Sequence, residues 1–247
     1  AALELNGKYL QEAPDDAVFQ LLAVAYAGRT QDDFGREARE FTDTLVTVAG
    51  GRPAFADPID VDIAGDGWRL AGRIERVTER GLLHFRPSKI KAKDYIRAWI
   101  PHVVLNALPS APIRETTLVG KDKVVTFAAL SDAGTTLAKL VRGYVEGRAS
   151  PPPVLERASF AYAEKKAEST KDPQQARGAA LAAARSGLEG NPFQHSPGDA
   201  DEEHVRVVFR DRHPLDDDTA RFEQAATELW EPVLAAAKEI SLAEGSS

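Results

Sequence analysis

The stretch from Ile59 to Leu108 changes its hydrophobic period partway along, and that change limits what the chain can build around it. Ile59, Val61 and Ile63 alternate with Asp60, Asp62 and Ala64, the period of two that marks a half-buried strand. Gly65-Asp66-Gly67 is a turn signal, because glycine reaches positive φ without steric cost. Trp68 to Val77 reads as a returning strand, and Leu82 to Arg86 as a third after the turn Thr78-Glu79-Arg80-Gly81. Pro87 and Ser88 end the alternation. Tyr95, Ile96, Trp99, Ile100, Val103, Val104 and Ala107 then fall at helical spacing, with Pro101 as a kink. Three antiparallel strands followed by a packed helix predict a small α+β core. Thr116 to Val119 and Lys123 to Phe127 add two more strands, for a mixed sheet of about five.

The flanks read as helices. Residues 1–50 form a helical lead-in that packs onto the sheet, with one helix opening at Pro14 and another carrying Phe34, Ala38, Phe41, Leu45 and Val48. Residues 51–150 are the α/β core, closed by a helix from Asp132 to Val145 with Leu137, Leu140, Val141 and Tyr144 on one face. Gly147 to Pro153 is a stiff connector. Residues 151–247 form a helical C-terminal part of the same domain, anchored by Phe160, Tyr162, Phe222 and Trp230, with Val205, Val208 and Phe209 buried on a short helix. Asp216-Asp217-Asp218 crowds the start of the last helix, where acids complement the dipole without any metal.

Chemistry is narrowed by what is missing. With no cysteine there is no disulfide, thiol nucleophile or thiolate metal site, which suits a reducing cytoplasm. No phosphate-cradling glycine loop and no Gly-x-Ser-x-Gly elbow occur, so neither ATP hydrolysis nor acyl transfer is expected. No apolar run approaches the roughly 20 residues of a membrane span. The absence of methionine, at position 1 as elsewhere, reads as a piece of a longer chain. A net charge of -7 argues against a general nucleic-acid coat. The charge is uneven, however. Trp68 to Arg97 holds nine basic residues against Glu75, Glu79 and Asp94. Such a stretch is either a solvated face or a surface for a phosphate backbone or an acidic partner. Lys89, Lys91, Lys93 and Arg97 oppose the dipole of the helix they begin, and Lys121 and Lys123 sit at a hairpin tip; these six are the candidate DNA or partner contacts.

The strand–strand–strand–helix order resembles the restriction-endonuclease-like core of nucleases. Active members of that superfamily hold Mg²⁺ with an acid on the second strand and an acid followed, one residue on, by a lysine on the third. Here Glu75 stands at the first position, His84 at the second and Arg86 at the lysine. An imidazole and a guanidinium do not replace a hard-cation carboxylate and an ammonium, so the resemblance implies a nuclease-shaped domain with no catalytic residues, no metal and no cofactor. Two alternatives stand beside it: a working Mg²⁺ nuclease using Glu75 with Asp60 or Asp62, and an adaptor domain unrelated to DNA.

The chain more closely resembles the C-terminal part of the exonuclease V gamma-chain (RecC) family, the non-catalytic subunit of the bacterial RecBCD helicase–nuclease. The pieces that carry this are Gly81-Leu82-Leu83-His84-Phe85-Arg86-Pro87-Ser88, the helix Ala98 to Val104, Gly143-Tyr144-Val145-Glu146-Gly147 before Pro151, Glu189-Gly190-Asn191 and the closing acidic segment. Before Asp57 only the helical texture is shared. The resemblance implies a cytoplasmic subunit that works in double-strand-break repair, docks RecB-like and RecD-like helicase subunits, and guides or splits DNA strands with sequence-neutral contacts. One hairpin of the family protrudes as a pin; the sequence does not single it out.

Overall fold

In a computed structural model, residues 31–111, 113–170, 172–191, 196–210 and 214–242 are described, with side chains from Gly35 onward. The helix expected at Pro14 lies outside them. The described chain falls into two compact units, one of residues 1–131 with 238–247 and one of residues 132–237.

The first unit is built on a five-stranded mixed sheet. Its strands are β3 (Val77–Thr78), β4 (Gly81–Phe85), β5 (Thr116–Val119), β6 (Lys123–Phe127) and β9 (Ala237–Ser241), side by side in that order. β4 pairs antiparallel with β3 and parallel with β5, and β5 pairs antiparallel with β6. A parallel pair needs a crossover, which α2 (Ala92–Ala107) supplies. Alternation along the strands sends side chains to two covered faces. Leu83, Val119 and Val124 meet Ala38, Phe41 and Leu45 of α1 (Gln31–Ala49). Thr116 and Phe127 face α2, where His102 bonds Thr116 and Trp99 lies against Phe127. The apolar stripe read along α1 is thus the stripe that packs.

The three consecutive strands expected from the sequence do not share one sheet. β1 (Ile59–Gly65) and β2 (Trp68–Ile74) pair only with each other, in register Ile59 with Ile74 through Gly65 with Trp68. The second strand was expected to run to Val77; it stops at Ile74 because Arg76 takes φ 62, which breaks the pleat. The chain then re-enters as β3 and turns tightly into β4. Gly81, at φ 129, makes that entry possible: a Cβ there would meet the Glu115 carbonyl oxygen at 2.3 Å, where Leu82 N–H donates to the same oxygen.

The second unit is helical: α3 (Ala133–Ala149), α4 (Glu156–Ala167), α5 (Pro173–Glu189), α6 (Glu203–Phe209) and α7 (Thr219–Ala236), with the short pair β7 (Gly190–Asn191) and β8 (Ser196–Pro197). Small residues let α4 and α5 close up. Ala158, Ala180 and Ala184 are fully buried, and a Cβ on Gly187 would touch the Ala158 backbone at 2.9 Å. Tyr162 meets Phe222 edge-on, Phe160 meets Trp230, and Trp230 Nε1 donates to Ser159 Oγ. Asp218 caps α7 through Arg221 N–H and Asp216 pairs with Arg185, so the triple-aspartate run is used by the fold itself. Two side chains expected inside are outside: Tyr144 is 70% exposed on the bare end of α3, and Val208 lies on the outer face of α6. Helical spacing identifies one face but not whether anything covers its whole length.

Candidate functional site

A cleft of about 800 Å³ opens between the β1–β2 hairpin, the end of β4 and one side of α2. The hairpin contributes Val61, Leu70 and Ile74, and α2 contributes Ile100, Pro101 and Val104. Ile100 was expected in the core; it is 45% exposed because it belongs to this wall instead. The polar groups come from the links between elements. Glu75 and Arg76 lie between β2 and β3, His84 is the fourth residue of β4, Arg86 and Ser88 follow it, and Asp94 and Arg97 stand on the first turns of α2.

The three positions read from the nuclease pattern, Glu75, His84 and Arg86, therefore come to one cleft. Their surroundings do not suit Mg²⁺. Arg86 Nη1 donates to Asp94 Oδ1 at 3.1 Å, and its Nε bonds Ser88 Oγ. The other Asp94 oxygen accepts the Lys91 N–H at 2.9 Å. Asp94 is nearly buried, so this ion pair closes the start of α2 and uses up the carboxylate. Among the described residues, Glu75 is then the one acid of the cleft without a cation holding it. Asp60 and Asp62 do not join it. They project from the other side of β1 and pair with Arg73 at 2.9 Å and Arg69 at 2.6 Å, a contact that holds the Asp62 carboxyl below its usual range. Among the described residues no three His, Cys, Asp or Glu side chains gather at metal-binding distance. A hard divalent cation wants several carboxylate oxygens, and this donor set does not offer them.

His84 is half-buried, and its Nε2, shielded from solvent, has no hydrogen-bond partner among the described residues. Burial, and secondly the Arg76 guanidinium, pull its pKa down to about 4, so the ring is neutral at pH 7. Arg76 itself spans 5.1 Å to the Phe85 ring centre in a cation–π contact. Its left-handed backbone is unusual for a residue with a β-carbon. Nothing in the sequence signals that conformation, so Arg76 and the role of Asp94 escape a reading by pattern. A pair of variants isolates the backbone cost. Both Arg76→Gly and Arg76→Ala lose the side chain, yet the glycine form should be the more stable by about 1 kcal/mol, reversing the usual order. Urea unfolding followed at Trp99 measures it; equal midpoints would remove the strain.

The candidate contact residues divide. Arg97 lines the cleft, and Lys89, Lys91 and Lys93 lie along the loop and first turn beside it. Lys121 and Lys123 do not form a free tip. Lys121 bonds Glu37 of α1 at 2.8 Å, and Lys123 bonds Glu239 of β9 at 2.9 Å and lies over Tyr95. Their turn is also tied down: Lys121 N–H donates to Ser88 O, and Ile90 N–H to Asp122 Oδ1. The Glu37 side chain that holds Lys121 is only 13% exposed.

A family model described as the RecC C-terminal domain matches residues 20–167, so the similarity reaches well upstream of Asp57, where only texture was expected. The RecBCD enzyme subunit RecC of Mycolicibacterium smegmatis is 29% identical over 231 residues, which cover 83% of this chain and 20% of that protein. RecC of Mycobacterium tuberculosis H37Rv is 29% identical over 227 residues (81% of this chain, 20% of that protein). RecC of Escherichia coli K12 is 28% identical over 148 residues (57% and 13%). The chain spans at most about a fifth of the length of these relatives.

Proposed function

Because this chain belongs to the RecC C-terminal domain family, we propose that it is the non-catalytic C-terminal domain of a RecC-like subunit in a RecBCD-type complex. In this role it works in double-strand-break repair, docks RecB-like and RecD-like helicase subunits, and guides DNA strands through sequence-neutral contacts. The observation that carries the non-catalytic reading is the Arg86–Asp94 pair. It places a guanidinium, already bonded, where a nuclease needs a mobile ammonium, and leaves Glu75 without a second free carboxylate. Incubated with linear duplex DNA and Mg²⁺ or Mn²⁺, the chain should release no nucleotides, and Glu75→Gln should behave identically. Cleavage that disappears in Glu75→Gln would instead establish the nuclease reading.

Strand splitting, if it resides in this chain, belongs to the β1–β2 hairpin. That hairpin is a separate two-stranded sheet, exposed along most of its length, with Gly65-Asp66-Gly67 at its tip and Trp68 just behind. The β5–β6 turn is bonded down at Lys121 and Asp122 and has no such freedom. Unstacking a base step costs a few kcal/mol, so the wedge acts only with a motor driving DNA onto it. Co-expression with RecB-like and RecD-like subunits should yield a complex that contains this chain; its absence from that complex would leave the adaptor reading in place.

A further inference from the structure

We propose that the cleft beside β4 is a pocket for one unpaired nucleotide of a single DNA strand, with the base against its apolar walls and the phosphate at Arg76 and Arg97. The inference rests on the DNA-guiding reading above and adds a place and a ligand class to it.

Four observations converge. The first is size and lining: about 800 Å³ lies within the roughly 300–1,000 Å³ of small-ligand pockets, and Leu70, Ile74, Ile100, Pro101 and Val104 give it apolar sides. The second is charge. Four arginines reach the cleft, but Arg73 is held by Asp60 and Arg86 by Asp94. Arg76 and Arg97 remain, exposed and without an acidic partner among the described residues. Guanidinium groups match phosphate oxygens and also stack on bases, and packing on Phe85 already orients that of Arg76.

The third observation is an acceptor. Pro101 has no N–H, so it cannot donate the helical bond that the Arg97 carbonyl would accept, and both residues line the cleft. A carbonyl released there, together with the Glu75 carboxylate, can accept the exocyclic N–H of a base, which a pure anion site would not provide. The fourth is the left-handed backbone at Arg76, since such conformations persist where a side chain must be aimed. Cations beside an aromatic ring, here Phe85, are a usual means of holding single strands without reading their sequence.

The test titrates deoxyadenosine monophosphate into the 247-residue chain and follows backbone amide signals by NMR, with deoxyadenosine alone and inorganic phosphate alone as separate arms. The nucleotide should move the signals of Arg76, His84, Phe85, Arg97 and Ile100. Each half-ligand should bind about tenfold more weakly, the contribution of roughly one charge-assisted contact. Arg97→Gln should weaken nucleotide binding by a similar factor while signals of β5, β6 and the helical unit stay in place. Phosphate acting as well as the nucleotide, or no shifts at millimolar ligand, would overturn the pocket. A labelled oligothymidylate, followed by anisotropy, separates this inference from the reading beneath it. If wild type binds the oligomer and both Arg97→Gln and Ile100→Asp bind it equally well, the pocket fails and DNA guiding survives. If wild type binds no oligomer at any salt concentration, both fail.

Discussion

Asp199→Ala should destabilise the helical unit by about 2–4 kcal/mol, the cost of leaving two N–H groups at a helix start without their acceptor. Asp199 is 1% exposed and serves three partners. Its carboxylate accepts the N–H of Arg157 at 2.9 Å and of Ala158 at 2.8 Å, and Arg157 Nη1 at 3.2 Å. The N–H groups belong to the first turn of α4, whose own N-cap residue, Leu155, has no side chain able to accept them. A residue some forty positions downstream therefore does the work of a local cap. Truncation leaves the two N–H groups without their acceptor, beside the Ala158 contact on which α4 and α5 close, while Glu202 still accepts from the Arg157 guanidinium at 3.1 Å. Asp199→Asn keeps one acceptor oxygen and should lose about half as much. Trp230 lies in the same unit, buried against Ser159, so its emission during urea unfolding reads the effect. A loss below about 1 kcal/mol for the alanine form would mean that water replaces the cap.

Acid should unfold the sheet unit through two histidines. His84 and His102 each have a pKa pulled from 6.5 to about 4, chiefly by burial; Arg76 reinforces this at His84, and a bond with the Ala128 backbone opposes it at His102. Around His102 lie Thr116, Asn106, Trp99 and Phe127, none of them a charge that would welcome a proton. Above pH 6.5 both rings are neutral whether the chain is folded or not, and stability is complete. Between 6.5 and about 4 the unfolded chain takes up protons that the folded one refuses, so stability falls as pH falls, and the loss levels off below. At one pKa unit per 1.36 kcal/mol, each histidine contributes a loss of about 3 kcal/mol across that window. In His84→Gln the slope against pH should drop by one proton, whatever the variant's stability at neutral pH. An unchanged slope would show that the ring is not shielded. Asp199, held above its usual range by burial, biases the helical unit the opposite way, which Trp230 would report separately.

How much of this was legible follows from the range of the forces involved. The stripes of α1 and α7 and the breaks at Gly190 and before Pro87 are local patterns, and periodicity carries them. Family membership came from short pieces in order, and the matched region bears it out. The sheet's composition was not legible. Whether β2 continues into β4 depends on one φ angle at Arg76, and arginine does not advertise a left-handed turn. The edge strand β9 reads as the end of a helix, because nothing in Ala237 to Ser241 alternates clearly enough to signal a strand. At the site, the three positions read from the nuclease pattern line one cleft. Their ties and those of the lysines are not legible: Arg86 with Asp94 joins a loop to a helix start, and Lys121 with Glu37 and Lys123 with Glu239 are long-range pairings that composition cannot reveal.

The position of β9 beside β6 has a consequence for biosynthesis. The chain leaves the first unit at Ser131 and returns at Lys238, so a ribosome completes everything between before the last strand of the sheet exists. Until then β6 presents unsatisfied backbone to solvent, the kind of open border on which nascent chains stick to one another. Lys123, which later meets Glu239, is during that interval an unneutralised charge on the bare border, and a charge there is what discourages a stray strand from adding itself. The same ammonium would thus guard the growing polypeptide first and latch the finished one afterwards.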